Sequence, residues 1–193
     1  MKPLILASGS PRRAKILRDL GVEFEVVKTE APEVAIPHDP VRTVTENACA
    51  KLHAALLAGR AILAADTIVW FDNRIYGKPR DLEEAKEFLR ELSGQTHVVF
   101  TGVAFRAEDG TERTACVESH VTFRVLSEEM IDDYIARVHP TDRAGAYDID
   151  ESGDLIVASY EGSYENIMGL PVEPLCDFGI VPVRPRQARP SRS

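Results

Sequence analysis

Three short stretches hold the residue types that chemistry on an anion needs. Ser8-Gly9-Ser10-Pro11-Arg12-Arg13 joins two hydroxyls, a glycine and two guanidinium groups where a strand reads into a helix. Free backbone N–H groups and the helix dipole at such a turn attract negative charge, and arginine forks match phosphate oxygens. The bland alternative is a capped helix with two solvated arginines, since Ser-Pro commonly opens a helix. Asp66, in Ala64-Ala65-Asp66-Thr67, interrupts an apolar strand. A carboxylate there needs a cation, a metal ion or a wet cleft, although backbone N–H groups at a strand bend would also satisfy it. Gly77-Lys78-Pro79-Arg80-Asp81 is not a Walker A loop: the upstream glycine spacing is wrong, and Pro79 stands where Ser or Thr would hold magnesium. Read alone it is a loop before a helix. Lys51 reads as a solvated helical lysine, and Glu33 as an ordinary acid in the proline-bounded loop Ala31-Pro32-Glu33.

Other site types are missing from the sequence. The histidines at 38, 53, 97, 120 and 139 form no zinc-binding pair, and neither Gly-x-Gly-x-x-Gly nor Gly-x-Ser-x-Gly occurs. Met168-Gly169-Leu170-Pro171 carries no catalytic side chain and suits a wall or turn. Three scattered cysteines, 49, 116 and 176, give no disulfide framework.

The elements that must position these residues follow from periodicity and punctuation. Residues 3–7 read as a buried strand, 11–20 as a helix with Ser10 at its cap, 22–28 as an alternating strand and 41–58 as a helix. Residues 61–71 form a long apolar strand that Asp72-Asn73 turns back into a short strand around Ile75. Asp81-Leu82-Glu83-Glu84 is a capping-box variant opening a helix with Leu82, Ala85, Phe88, Leu89 and Leu92 on one face. Strands at 97–107 and 114–126 pair around Asp109-Gly110, a helix runs from Ser127 to about Val138, a strand covers 154–159 and a short helix follows Pro171. Alternating strands and helices with one hairpin predict an α/β fold with a mixed sheet. Residues 1–182 are expected to form one domain, and the Arg- and Pro-rich stretch 183–193 a disordered tail.

The balance of 44% hydrophobic and 28% charged residues in 193 suits an ordinary globular protein. The net charge of −8 includes four tail arginines, so the body is more acidic still. That disfavours a nucleic-acid binder, which needs a basic face, but not a small polyphosphate held by a few convergent cations. With no long apolar run and a charged N-terminal stretch, no membrane partner and a cytoplasmic location are expected.

Taken in order, S-x-S-P-R-R, E-N-A-x-A-K, A-D-T-I-V, G-K-P-R-D, L-S-G-Q-T-H-x-V-x-T-G-V, A-G-A-Y and M-G-L-P resemble the Maf family from about Leu4 to Leu175. The resemblance implies an elongated α/β fold with a cleft between two lobes, related to the inosine triphosphate pyrophosphatases. It implies a divalent metal (Mg²⁺ or Mn²⁺), commonly a homodimer, and cleavage of a nucleoside triphosphate to monophosphate and pyrophosphate. By motif position Arg12, Arg13, Lys51 and Lys78 would hold the triphosphate. Asp66 would be the main catalytic acid, as general base or metal ligand, with Glu33 near the metal. Ser8, Ser10 and Thr67 would line the pocket; Gln95 lies in a motif without a clear role. These residue types suit attack of water at the α-phosphorus, where cations neutralise the leaving pyrophosphate.

One segment departs from the pattern. Members acting on dTTP and UTP resemble A-G-A-Y-G-I-Q-G, whereas this chain reads Ala144-Gly145-Ala146-Tyr147-Asp148-Ile149-Asp150-Glu151. Asp150 replaces a glutamine whose amide both donates and accepts, as a pyrimidine edge requires. An acid here resembles the 7-methyl-GTP pyrophosphatase branch, while Thr67, the arginine pair and Ala-Tyr resemble the dTTP/UTP branch, which is the expected one. A regulatory nucleotide-binding protein of cell division is the remaining alternative; it would not need Asp66, Lys78 and both arginines intact.

Overall fold

The computed structural model describes residues 2–182 except 56 and 58. A seven-stranded mixed sheet forms its centre, in the order β2-β1-β3-β5-β6-β7 with β4 also on β3. The strands are β1 (Leu4–Leu6), β2 (Phe24–Val26), β3 (Ile62–Phe71), β4 (Arg74–Tyr76), β5 (Thr96–Arg106), β6 (Glu112–Phe123) and β7 (Val157–Glu161). β1 is parallel to β2 and β3, and the remaining pairs are antiparallel. The mixed α/β sheet is the architecture the sequence predicts. The Arg- and Pro-rich stretch 183–193 lies outside the described residues.

Helices α1 (Pro11–Asp19), α2 (Pro40–Ala54), α3 (Leu82–Leu92), α4 (Glu128–Val138), α5 (Tyr164–Ile167) and α6 (Val172–Asp177) flank the sheet. Asp39, Asp81 and Ser127 cap α2, α3 and α4 by accepting the N–H three residues on. Ser10 occupies the cap position of α1, but its side chain makes no cap hydrogen bond; its own N–H instead donates to Ser8 Oγ at 3.2 Å. α2 ends at Ala54, short of the expected 58, because the Ala55 N–H closes a tight turn on Leu52 O. The strand expected at 154–159 begins later. Ser152 takes a left-handed conformation, φ 56°, and Gly153–Leu155 coils into a 3-10 turn before β7 starts.

Alternation along the strands divides the packing. Leu4, Leu6, Leu63 and Ala65 pack with Ala14 and Leu17 of α1, whereas Ile5, Ala7, Ile62 and Ala64 pack with Ala48 and Leu52 of α2. α2 lies very close to the sheet. A Cβ on Gly102 of β5 would stand 2.4 Å from Val44 O, so only glycine permits this approach.

Candidate active site

Along one edge of β3 the sheet has a notch. β1 pairs with β3 only at Ile62 and Leu63, and β4 joins the same strand only from Val69. The other edge pairs with β5 without a break from Ile62 to Trp70. Asp66 and Thr67 fall in the notch. By alternation Asp66 faces α2 and Thr67 faces α1, so the sheet separates an acidic side from a cationic one.

On the α2 side Asp66 is 6% exposed. Lys51 Nζ donates to Asp66 Oδ1 at 2.5 Å and lies 2.8 Å from Glu33 Oε1. Asn47 Nδ2 donates to Asp66 Oδ2 at 3.0 Å. Side chains from one helix, not backbone N–H groups at a bend, therefore satisfy the acid. Burial pushes the Glu33 carboxyl up, but the Lys51 hydrogen bond and the charges of Lys51, Lys78 and Arg13 outweigh it, leaving the group below the usual carboxylate range. Lys78 is exposed on the loop before α3, near enough for its charge to act on Glu33.

On the α1 side Arg13 is held from three directions. Its Nε donates to Gly169 O at 2.8 Å, one terminal nitrogen to Ser8 Oγ at 3.0 Å and the other to Thr67 Oγ1 at 3.1 Å. Thr67 Oγ1 is itself 3.0 Å from Thr101 Oγ1. All three acceptors are neutral. Desolvation lowers the guanidinium pKa to about 10, partly offset by the charge of Asp66. A partly buried cation that makes no ion pair with a carboxylate among the described residues is costly to desolvate, and this one is fixed in orientation at a notch. It is suited to a ligand that brings negative charge.

Arg12 turns the other way. Its Nη1 donates to Asp148 Oδ2 at 3.1 Å, and Arg143 Nε donates to the same oxygen at 3.0 Å. Burial raises the Asp148 pKa, yet the two arginines outweigh it and the group is lowered. These residues line a cavity of about 380 Å³ together with Pro11, Lys15, Asp142, Asp150 and Glu151. Asp150 accepts from Tyr164 Oη at 3.1 Å and lies 3.8 Å from Lys15 Nζ. The segment carrying both acids is anchored below by Tyr147, whose hydroxyl is 3.0 Å from His97 Nε2, and by Tyr134, whose hydroxyl accepts the Asp148 N–H at 2.8 Å.

Comparison with known proteins bears on this arrangement. Residues 3–178 match the family model described as Maf-like protein. The chain belongs to the Maf-like family. A Bacillus cereus relative named dTTP/UTP pyrophosphatase is 42% identical over 178 residues, 91% of this chain and 87% of that protein. A Bacillus cytotoxicus protein of the same name is 44% identical over 179 residues, 89% of this chain and 91% of that protein. Among solved structures, the Staphylococcus aureus Ham1 protein is similar at TM-score 0.46 and 14% identity, over 63% of this chain and 72% of that one.

Within this Maf-like chain, the structure brings Asp66, Lys51 and Glu33 together, and Arg13, Ser8 and Thr67 together, on the two sides of the notch. Ser10 joins the Arg13 side only through its backbone, its N–H donating to Ser8 Oγ at 3.2 Å. Gln95 lies outside the site, its N–H on Leu92 O and its carbonyl accepting the Phe123 N–H at the junction of α3 and the sheet. Met168-Gly169-Leu170-Pro171 forms a wall that also works through its carbonyls: Met168 O accepts from Arg12 Nε and Gly169 O from Arg13 Nε. Sequence reasoning missed Asn47, Asp148 and Arg143. The available signal for Asn47 was its spacing of four residues from Lys51, which puts both on one helix face. The signal for Asp148 was an acid in the place of a motif glycine.

The donor set also bears on a metal ion. Among the described residues no group of three or more His, Cys, Asp or Glu side chains converges. Two carboxylates, Glu33 and Asp66, do converge, on the Lys51 ammonium. Hard oxygen donors in that number fit an Mg²⁺-type ion, which commonly takes one or two carboxylates and fills its shell with water and substrate phosphate.

Proposed function

We propose that this protein is a nucleoside triphosphate pyrophosphatase. The observation that carries the reading is the partly buried Arg13, which makes no ion pair with a carboxylate among the described residues, set across β3 from the Asp66–Lys51–Glu33 cluster. It offers a site for polyphosphate beside a carboxylate able to manage a proton. Arg13, Lys78 and Lys51 bind the phosphates, Arg12 adds a guanidinium at the cavity mouth, and Ser8, Ser10 and Thr67 shape the pocket. Water attacks the α-phosphorus, its proton passes to Asp66, and the bond between the α-phosphorus and the bridging oxygen breaks. The products are a nucleoside monophosphate and pyrophosphate. Glu33 and Asp66 would hold Mg²⁺ or Mn²⁺, which supplies charge neutralisation on the phosphates when bound.

Likeness to relatives named dTTP/UTP pyrophosphatase supports dTTP and UTP as substrates. Asp148 and Asp150 in the cavity favour a second reading, 7-methyl-GTP, because acids accept from the adjacent ring N–H and amino group of a guanine-type base. A homodimer and a cytoplasmic location belong to the same proposal; among the described residues no helix is long and apolar enough to cross a membrane. The deciding experiment is a panel of nucleoside triphosphates with Mg²⁺ or Mn²⁺, scored by pyrophosphate release. Release from UTP or dTTP above all others is expected. No release from any member of the panel would end the enzymatic reading.

A further inference from the structure

One face of α2 carries Thr43, Asn47 and Lys51 at intervals of four residues, and each engages the loop that precedes the helix. Thr43 Oγ1 accepts the Ile36 N–H at 3.0 Å while donating to Asp39 O at 2.8 Å. Asn47 Oδ1 accepts the Val34 N–H at 2.8 Å, and Asn47 Nδ2 donates to Val34 O at 3.0 Å. Lys51 reaches the Glu33 carboxylate. Four helical residues advance about 6 Å and two extended residues about 6.6 Å, which matches the step from Thr43 to Asn47 with that from Ile36 to Val34. The helix face therefore serves the loop as a neighbouring strand would, in antiparallel sense. The loop itself contributes little packing: Val34 is 44% exposed.

Asn47 does more than hold the loop. Its amide is 3% exposed, and Nδ2 also donates to Asp66 Oδ2. The amide orientation is unambiguous, because the reverse would set an oxygen against both Val34 O and the Asp66 carboxylate. One side chain thus grips both backbone groups of Val34, next to Glu33, and the acid of β3. We propose that Asn47 is a positioning residue that sets the spacing between Glu33 and Asp66, making the two carboxylates a single unit. The functional part of this rests on the pyrophosphatase reading. The structural part stands apart from it. An asparagine is suited to this position because only an amide both donates and accepts there; aspartate would lose both donations and face Asp66 with like charge.

The test uses the full chain, with Asn47→Ala and, should that variant fail to fold, Asn47→Asp. Exchange of the Val34 and Ile36 amides is followed by NMR, and UTP turnover is measured in the presence of Mg²⁺. Asn47→Ala should speed Val34 exchange about tenfold, the worth of one net hydrogen bond, and leave Ile36 nearly unchanged. Thr43→Val should do the reverse. Turnover of Asn47→Ala should fall about a hundredfold with little change in KM, the scale of an ångström-sized misplacement. Glu33→Ala should cost far less in the Asn47→Ala background than in the native protein. Fully additive losses, or Val34 exchange indifferent to Asn47, would overturn the proposal. If the native protein turns over no nucleotide, the pyrophosphatase reading fails, while Val34 exchange still decides whether Asn47 sets the loop.

Discussion

Gly102 stands directly opposite Asp66 in the antiparallel ladder of β3 and β5. The same glycine lets the backbone of α2 come within a distance no Cβ would tolerate. The acid and the helix that supplies its partners are therefore brought together by a missing side chain. Gly102→Ala should push α2 outward, lowering stability by about 1–3 kcal/mol as overpacking does. Because Lys51 and Asn47 ride on α2, turnover should fall further than stability loss explains. Thermal melting and kcat on the same preparation check this. A stable variant of full activity would show that the contact is not needed.

Asp66→Asn should abolish turnover in a folded protein. The amide cannot take up a proton, and it sets an N–H₂ group against the donors of Lys51 or Asn47. Circular dichroism and pyrophosphate release measure the two halves of this expectation. Near-native turnover would remove Asp66 from its assigned role.

Arg13→Ala and Lys78→Ala should separate binding from folding. Each should lower kcat/KM about tenfold or more, the scale of a lost charge-assisted hydrogen bond of about 1.5–3 kcal/mol. Lys78 is exposed, so its loss should leave the melting temperature in place. Arg13 bridges Gly169, Ser8 and Thr67, so its loss should move it. Unchanged kcat/KM in both variants would make them structural or solvated residues.

Asp150→Gln should raise the ratio of kcat/KM for UTP over that for 7-methyl-GTP. Glutamine restores a mixed donor and acceptor at the cavity; Asp150 is exposed in the free protein, so the discrimination arises from polar groups that a bound base would cover and leave mismatched. The ion contact with Lys15 would be lost at the same time, which should affect both substrates alike. An unmoved ratio would assign base selection to Asp148, Thr67 or backbone groups.

His97 should make folding sensitive to mild acid. Burial lowers its pKa to about 3, so the folded ring stays neutral while the unfolded ring protonates near its ordinary value of 6.5. The unfolded chain thus binds the extra proton between these values, and stability is complete above pH 6.5 and falls as pH drops towards 3. Between pH 6.5 and 5, where most carboxylates remain ionised, the loss should follow one proton. Denaturant titrations of His97→Gln should show that slope removed. A slope equal to the native protein's would place its origin elsewhere.

The frame of the site was legible because β3 announces itself: nine apolar or small residues broken by one acid read as a strand with a purpose. The capping acid Asp81 likewise marked a helix start that the structure keeps. What stayed hidden depended on three dimensions. Asn47 looks like any helical polar residue until the loop at Val34 is laid against it. The linear reading singled out Asp150, in the place of a glutamine; only the folded segment shows that its neighbour Asp148 is the acid turned to Arg12 and Arg143. β7 was displaced because Ser152, a residue with no intrinsic demand for positive φ, adopts it.

The consecutive residues Asp66 and Thr67 point to opposite faces of β3, and this makes the sheet's register a chemical variable. Sliding β3 by one residue against β5 would turn the carboxylate towards Arg13 and the hydroxyl towards Lys51. The flanking Ala64 and Ala65 are nearly interchangeable in bulk, so local packing would resist such a slip only weakly. Nine consecutive pairs, from Ile62–Arg106 to Trp70–Val98, hold the frame instead. The long hairpin strands thus act as a ruler: two places of error would restore the facing of each group, and a single place would exchange base for cradle.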